Sequence, residues 1–167
     1  MKKFVFALVT LLIACGGLFA QQKSTESICY VGSSLDRIKK DFPNLKYVPS
    51  YEDARVVDAI FRGKSDYQVY GSNIDSKTNS FRVFYVKDGF CYIESLSTRS
   101  RMTAVAYMAI YSNYFGMEHK ANEHEVHIDL KDIPGNPNKG LNFSYYFLNG
   151  VTYLMYIAPS GDLVKMK

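Results

Sequence analysis

Hydrophobic and polar positions along this chain recur with two different periods, one typical of helices and one typical of strands. Apolar residues recur at helical spacing in residues 35–42, 51–62 and 100–115, and Gly116 supplies a stop after the last segment. The segment 51–62 is also rich in β-branched residues, so a strand is the alternative there. The pattern therefore predicts two or three helices, of which 100–115 is the longest.

Short segments with β-forming residues and turn signals between them predict a sheet. The predicted strands are 28–31, 67–70, 81–86, 90–96, 124–130, 141–148 and 151–157, with 163–166 as a candidate short edge. Asp88-Gly89 and Asn149-Gly150 are typical of tight hairpin turns. Residues 132–140 contain two prolines and predict an exposed loop. This order of elements predicts an α+β fold, an antiparallel sheet with two or three helices packed on one face.

The first twenty residues have the pattern of a secretory signal peptide. Lys2 and Lys3 precede an apolar run at 4–14, and a small residue, Ala20, stands before polar residues. We therefore expect residues 1–20 to be removed and 21–167 to form a single globular α+β domain, periplasmic or secreted. The apolar run is too short to be a membrane-spanning helix, and we also expect no transmembrane segment in the mature chain.

A second interpretation of the same region is a lipoprotein signal. Residues 12–15, Leu-Ile-Ala-Cys, resemble the pattern at which lipoproteins are cut, so that 1–14 would be removed and Cys15 acylated. Acyl chains on Cys15 would anchor the protein to a bacterial membrane. The apolar Leu18 and Phe19 stand where a polar tether is expected, which favours simple cleavage.

Charge gives no indication of a nucleic-acid partner. Removal of the signal leaves 18 basic residues, two fewer than the 20 of the whole chain, against 16 acidic residues. A surface so nearly balanced offers no electrostatic attraction to nucleic acid or to an anionic membrane.

Two cysteines remain in the mature chain, and the predicted compartment is oxidising. Cys29 and Cys91 are therefore expected to form a disulfide. The alternative is a pair of separately buried thiols, since cysteine is often a core residue.

The histidines provide the one cluster with metal-ligand chemistry. His124, Glu125, His127 and Asp129 lie within six residues, and a strand there would place Glu125, His127 and Asp129 on one face. A divalent metal site is one interpretation. The other is a solvated edge strand whose charges discourage aggregation.

The start of the long helix is a candidate anion site. Arg99, Ser100 and Arg101 lie where free backbone N–H groups are expected, and such groups suit an anion. The plainer interpretation is a helix cap with two solvated arginines.

Tyrosines form a stripe along the same helix. Tyr107, Tyr111 and Tyr114 recur at helical spacing beside an apolar side made of Met102, Val105, Ala106, Ala109 and Ile110. This pattern predicts a helix covered on both sides, with the tyrosines in the core. An exposed tyrosine stripe, as a recognition surface, is the alternative.

No nucleophile elbow, zinc-protease motif or phosphate-binding glycine loop occurs, so the sequence points away from an enzyme and indicates no cofactor. Residues 32–38, Gly-Ser-Ser-Leu-Asp-Arg-Ile, followed by Phe42-Pro43, resemble the opening of small outer-membrane assembly lipoproteins and of β-lactamase-inhibitor-protein-like domains. The resemblance implies helices on an antiparallel sheet and a role in binding other proteins.

The sequence thus predicts an exported, non-enzymatic binding or envelope-associated module with a protein or small-molecule ligand. The alternative is an extracytoplasmic metal-binding protein or hydrolase that uses the region of His124 and His127.

Overall fold

The computed structural model describes residues 28–48, 67–118, 124–135, 138 and 140–160. These ranges contain a seven-stranded antiparallel sheet and two α-helices. The predicted α+β class with an antiparallel sheet is therefore confirmed, and most of the regular structure is strand. The predicted segments 51–62 and 163–166, the signal region with Cys15, and part of the 132–140 loop lie outside the described residues.

The sheet has the order β1-β2-β3-β4-β7-β6-β5, and every neighbouring pair is antiparallel. The helices are α1, Leu35–Asp41, and α2, Arg101–Phe115, and a 3-10 turn covers Leu130–Asp132. The strands are β1, Lys46–Tyr47; β2, Gln68–Asp75; β3, Ser80–Lys87; β4, Phe90–Thr98; β5, Glu125–Asp129; β6, Leu141–Leu148; and β7, Thr152–Pro159.

Both predicted hairpin turns are present. Asp88 and Gly89 join β3 to β4 with φ of 51° and 77°, and Asn149 and Gly150 join β6 to β7 with φ of 50° and 68°. Two consecutive positive φ angles match the twist of the flanking strands, which is why Asn-Gly and Asp-Gly are favoured in such turns.

Helix α2 begins and ends where its sequence predicts. The Ser100 hydroxyl accepts a hydrogen bond from the Thr103 N–H at 3.2 Å, which satisfies one of the free donors of the first turn. Gly116 adopts the left-handed conformation, φ 68°, and the Met117 N–H donates to the Ser112 carbonyl at 2.9 Å.

The prediction of a strand at residues 28–31 is wrong. This segment, which we call the N-terminal segment, has no strand conformation, and side chains instead of a neighbouring strand satisfy two of its backbone groups. Arg82 donates to the Ile28 carbonyl at 2.7 Å, and the Tyr30 N–H donates to Glu94 at 2.6 Å. The strand predicted at 124–130 ends one residue early, since Leu130 opens the 3-10 turn.

The described residues form a core of three clusters. One joins α2 to the sheet, and its buried members include Leu96, Met108, Phe115, Phe143 and Ile157. A second joins α1 to β3 and β4 through Tyr30, Ile38, Phe84, Val86 and Cys91. The third comprises Val83, Tyr85, Ile93, Leu154, Tyr156 and Ala158. Since neighbouring residues of β3 alternate between the second and third clusters, β3 is buried on both faces.

Candidate functional site

Strand β5 presents the predicted acidic and histidine row on one face. Both carboxylate oxygens of Asp129 already have partners. One accepts from the Lys131 N–H at 3.1 Å, and the other pairs with the Lys131 ammonium at 2.6 Å. The hydrogen bond from Lys131 also lowers the pKa of Asp129 below its usual range. Residues two apart on a strand are separated by about 6.8 Å, so Glu125, His127 and Asp129 do not converge by themselves.

His124, the other histidine of the predicted metal cluster, makes a different contact. The His124 ring stacks on Phe147, with 5.9 Å between ring centroids. Among the described residues, no group of three or more His, Cys, Asp and Glu side chains could hold a metal ion. His119 lies outside the described residues.

His127 and Ser144 form a contact of the kind found between a general base and a nucleophile. The His127 Nδ1 atom lies 2.7 Å from the Ser144 hydroxyl. Ser144 is, however, fully buried, at 0% exposure, so a substrate cannot reach its oxygen. The contact fixes the edge strand β5 to β6 and gives no support to a hydrolase.

The predicted anion site is occupied by the helix's own capping interactions. The Ser100 hydroxyl accepts from the Thr103 N–H, and the Ser100 N–H donates to the Thr98 hydroxyl at 3.1 Å. Arg99 and Arg101 are exposed beside this cap. Anion binding by these residues stays a prediction, and the cap alone accounts for Ser100.

The predicted tyrosine stripe divides between core and surface. Tyr111 is 2% exposed and packs against Phe115 and Phe143, with centroid distances of 6.1 and 5.7 Å. Burial raises its pKa well above the ordinary value. Tyr111 therefore belongs to the core and not to an interface, whereas Tyr107 is half-buried and Tyr114 is exposed.

Part of the apolar side of α2 is exposed, which the sequence did not predict, whereas Ala106 and Ile110 on that side are half-buried. The side chains of Met102 and Val105 are 78% and 46% exposed, and Ala109 lies on the same side. We call Met102, Val105 and Ala109 the outer α2 face. Tyr114 is 43% exposed but lies on another side of the helix, since it is about 120° around the axis from Met102. Three of the six large hydrophobic residues exposed in the described ranges lie on this one helix. The outer α2 face is thus the main exposed apolar feature that the described residues place on a single element.

The signal for this surface was present in the sequence. Helix α2 contains no charged residue after Arg101. A helix that faces water normally carries charge on its outer side, and a helix apolar all round is normally covered. In α2 only one side is covered, through Ala104, Met108, Tyr111 and Phe115.

A second polar constellation, the ion pair of Arg82 and Glu94, is buried under the N-terminal segment. Both side chains are almost fully buried, and Arg82 Nε donates to Glu94 at 2.6 Å. Burial opposes the charge on Arg82, but the Glu94 carboxylate outweighs this effect and raises the pKa of Arg82 overall. Since no solute can reach this pair, it serves the fold and not a reaction.

Both mature cysteines adjoin the ion pair. Cys29 and Cys91 are buried thiols, and the described part of the chain contains no disulfide. Burial, and then the nearby Glu94 carboxylate, raise the pKa of both thiols above the ordinary value. The disulfide between them stays a prediction.

The chain matches no family model, no curated protein and no solved structure. These comparisons therefore add nothing to the local resemblance of residues 32–43. Of the helices in the described ranges, neither combines the length and the hydropathy needed to cross a bilayer.

Proposed function

We propose that this protein is an exported, non-enzymatic binding module of the cell envelope and that the outer α2 face is its binding surface. The observation that carries the proposal is the exposure of Met102, 78%, on a helix that has no charged residue after Arg101. Burying one such side chain contributes about 1.5–3 kcal/mol. Grouped exposed apolar residues are characteristic of interaction sites.

The shape of this surface favours a protein as the partner. Small molecules bind in concave pockets that enclose most of their surface. The outer face of a helix is convex, so it can bury apolar area only against another extended surface. A protein of the envelope, rather than a small ligand, is therefore the proposed class of partner.

A binding role agrees with the positions of the polar groups. Arg82 and Glu94 are buried under the N-terminal segment, and Ser144 is buried beneath His127. The interactions of each pair hold parts of the fold together. The alternative, a metal-binding protein or hydrolase using the region of His124 and His127, has no specific observation in its favour.

In the proposed arrangement, both described helices pack on the same face of the sheet. Arg82 lies directly opposite Leu96, so the two side chains share a face, and Phe84 lies two residues from Arg82 on β3. Leu96 belongs to the cluster with α2, and Phe84 to the cluster with α1. The clusters of α1 and α2 thus contain residues of the same sheet face, which supports the expectation that both helices pack there. In this arrangement the opposite side of α2 faces outward.

Site-specific photo-crosslinking in the envelope of the host tests the proposal. A photoreactive residue at Met102 should give a discrete crosslinked product, because the outer α2 face is covered in the complex. The matched control is Val151, which is 56% exposed but lies at the turn between β6 and β7. Equal products from the two positions, or none from either, would contradict the proposed surface.

Export is tested by the intact mass of the protein recovered from the host envelope. A chain that starts at Gln21 supports a periplasmic or secreted protein, and a chain that starts at an acylated Cys15 supports a lipid-anchored one. A full-length mass starting at Met1 would contradict both forms of export.

A further inference from the structure

The ends of α2 carry charges of the wrong sign for the helix. Backbone dipoles make the N-terminal end of a helix positive and the C-terminal end negative, so acids are favoured at the start and bases at the end. In α2 the first turn has no acidic residue and the last turn has no basic one. Instead Arg99 and Arg101 stand at the positive end, and Glu118 follows the negative end.

Nothing in the described ranges compensates these charges. Arg101 and Glu118 are exposed, and among the described residues neither takes part in an ion pair. The stretch between them is uncharged throughout. The helix therefore has a basic end, an apolar middle that is exposed on one side, and an acidic end.

If a second α2 lies antiparallel on the first, the charges at both ends of each helix become favourable. In that arrangement the N-terminal end of each helix adjoins the C-terminal end of the other. Arg101 then lies next to a negative helix end and close to Glu118 of the second copy, and Glu118 lies next to a positive one. Charges that are unfavourable in the single chain become favourable in the pair.

The residues between the two ends fit a two-fold axis near Ala109. About this axis Val105 lies opposite Asn113, and Arg101 opposite the region of Glu118. The small side chain of Ala109 allows the two helices to approach to the 8–10 Å that is usual for packed helices. An uncharged apolar face also meets no charged group when it packs on a copy of itself.

We propose that the occupant of the outer α2 face is the outer α2 face of a second copy of this chain, packed antiparallel about a two-fold axis near Ala109. This inference rests on the proposed function, since it names the partner of the same surface. A two-fold interface repeats every contact, so each dimer contains two Arg101–Glu118 pairs. Because α2 is only about 22 Å long, the interface is small and we expect micromolar affinity.

Sedimentation of charge-reversal variants tests the arrangement. The purified protein should dimerise over a range of about 1 µM to 1 mM, and added salt should weaken the dimer. Arg101→Glu alone, or Glu118→Arg alone, places like charges together twice in each dimer. We expect each single variant to dimerise at least about tenfold more weakly.

Mixing the two single variants, and combining both changes in one chain, together provide the decisive measurement. In a mixed dimer each acidic side chain at position 101 or 118 faces a basic one of the other chain, so both pairs are again attractive. Association should therefore recover in the mixture, and also in the double variant Arg101→Glu/Glu118→Arg. The double variant distinguishes the two arrangements, because a parallel pair would bring position 101 next to position 101 and would keep like charges together in the double variant, although not in the mixture.

Ala109→Glu gives a test that does not depend on the end charges. It places two carboxylates at the axis and should abolish the dimer, while Val151→Glu, at an exposed turn, should leave it unchanged. Thermal unfolding of each variant checks that the fold is retained. An unmodified protein that stays monomeric up to 1 mM, or a dimer that Ala109→Glu leaves intact, overturns the inference.

The crosslinking experiment separates this inference from the proposed function. A product at Met102 with twice the mass of the chain supports both. A product with a different protein, together with a monomeric chain in solution, retains the binding surface and overturns the self-association. No product at Met102 contradicts the binding surface itself.

Discussion

Arg82 and Glu94 form the most heavily buried charged interaction in the described residues. Burial of a charge is costly unless it is paired and its remaining donors and acceptors are satisfied. Glu94 accepts from Arg82 and from the Tyr30 N–H, and Arg82 also donates to the Ile28 carbonyl. The guanidinium carbon lies 5.0 Å from the Tyr30 ring centroid, which adds a cation–π interaction.

Breaking this pair from one side should destabilise the protein strongly. We expect Arg82→Met to lower the free energy of unfolding by about 3–5 kcal/mol, because Glu94 would be left buried without its partner. Urea unfolding followed by circular dichroism measures the change. The exposed Arg99→Ala is the control and should change stability by about 0.5 kcal/mol or less. A loss below about 1 kcal/mol for Arg82→Met would show that Glu94 is not effectively buried.

Tyr146 provides a prediction for alkaline pH. Burial, followed by a hydrogen bond with Tyr156, raises the pKa of Tyr146 from 10.0 to about 12. The folded protein thus keeps a proton that the unfolded chain loses. The contribution of Tyr146 to stability is present below pH 10 and is lost as the pH rises to about 12.

An NMR titration of the Tyr146 ring measures this shift. Tyr156→Phe removes one of its causes and should lower the pKa of Tyr146 toward 10. Tyr47→Phe, at a 61% exposed position on β1, is the control and should leave the titration unchanged. An unchanged pKa in the Tyr156→Phe variant would show that the hydrogen bond between the two rings does not govern Tyr146.

The cysteines are tested by thiol titration of the protein isolated from its own envelope. Under denaturing, non-reducing conditions we expect no reactive thiol, because the predicted bridge joins Cys29 and Cys91. Two reactive thiols would rule the bridge out. After reduction and refolding, both thiols should react only on unfolding, since burial raises their pKa and shields them.

Local sequence signals predict the conformation of single residues well, but they do not predict which residues pair across long distances in the chain. The Ser100 cap and the left-handed Gly116 depend only on residues within a few positions, so the sequence indicates both. The partnership of Arg82 with Glu94 depends on the register between β3 and β4 and on an N-terminal segment more than fifty residues earlier. No local pattern marks either residue as buried.

At the scale of elements, α2 shows why an apolar period does not always identify the buried side. Met102, Val105 and Ala109 recur as regularly as Met108, Tyr111 and Phe115, so the sequence predicts cover on both sides. The fold covers the side with the two aromatic rings, which remove more apolar area from water. The candidate site is therefore visible in the sequence as a helix without charges, but its exposed side is not.

The end of α2 also yields a prediction. Gly116→Ala should lower the free energy of unfolding by about 1–2 kcal/mol, because a side chain disfavours the left-handed conformation at φ 68°. The new Cβ would lie 3.8 Å from Ile133, an ordinary contact, so the cost is conformational. Gly140→Ala is the matched control, because nothing lies within 4 Å of the added carbon, and its stability should be unchanged or slightly higher. Equal effects in thermal unfolding would contradict this reasoning.

Strands that flank a recognisable turn could be predicted from the sequence. A strand that exists only through pairing with a neighbour could not. The hairpins at Asp88-Gly89 and Asn149-Gly150 were predictable from their turns. The two-residue β1 was not predicted, and it exists through its pairing with Tyr70 and Gly71 of β2.

At the scale of the whole molecule, one pairing joins the two halves of the sheet. Strands β1 to β4 form a meander along the chain, and β5 to β7 form a second antiparallel group. Among the described strands, β4 and β7 form the pairing between the two groups, with register pairs from Glu94–Ile157 to Thr98–Tyr153. The order of the strands could not be predicted from sequence, because each group alone has well-defined hairpins and the contact between them spans about sixty residues.

The attachment of the N-terminal segment also determines how the protein meets mechanical force. A pull on the chain from its N-terminal side reaches the described fold first at Ile28, whose carbonyl is held by Arg82. The load then passes through Glu94 into β4, the strand that joins both halves of the sheet. Charge-assisted hydrogen bonds are roughly twice as strong as neutral ones, so tension falls first on one of the strongest contacts. Under such a pull the molecule would resist at its centre before its edges begin to separate.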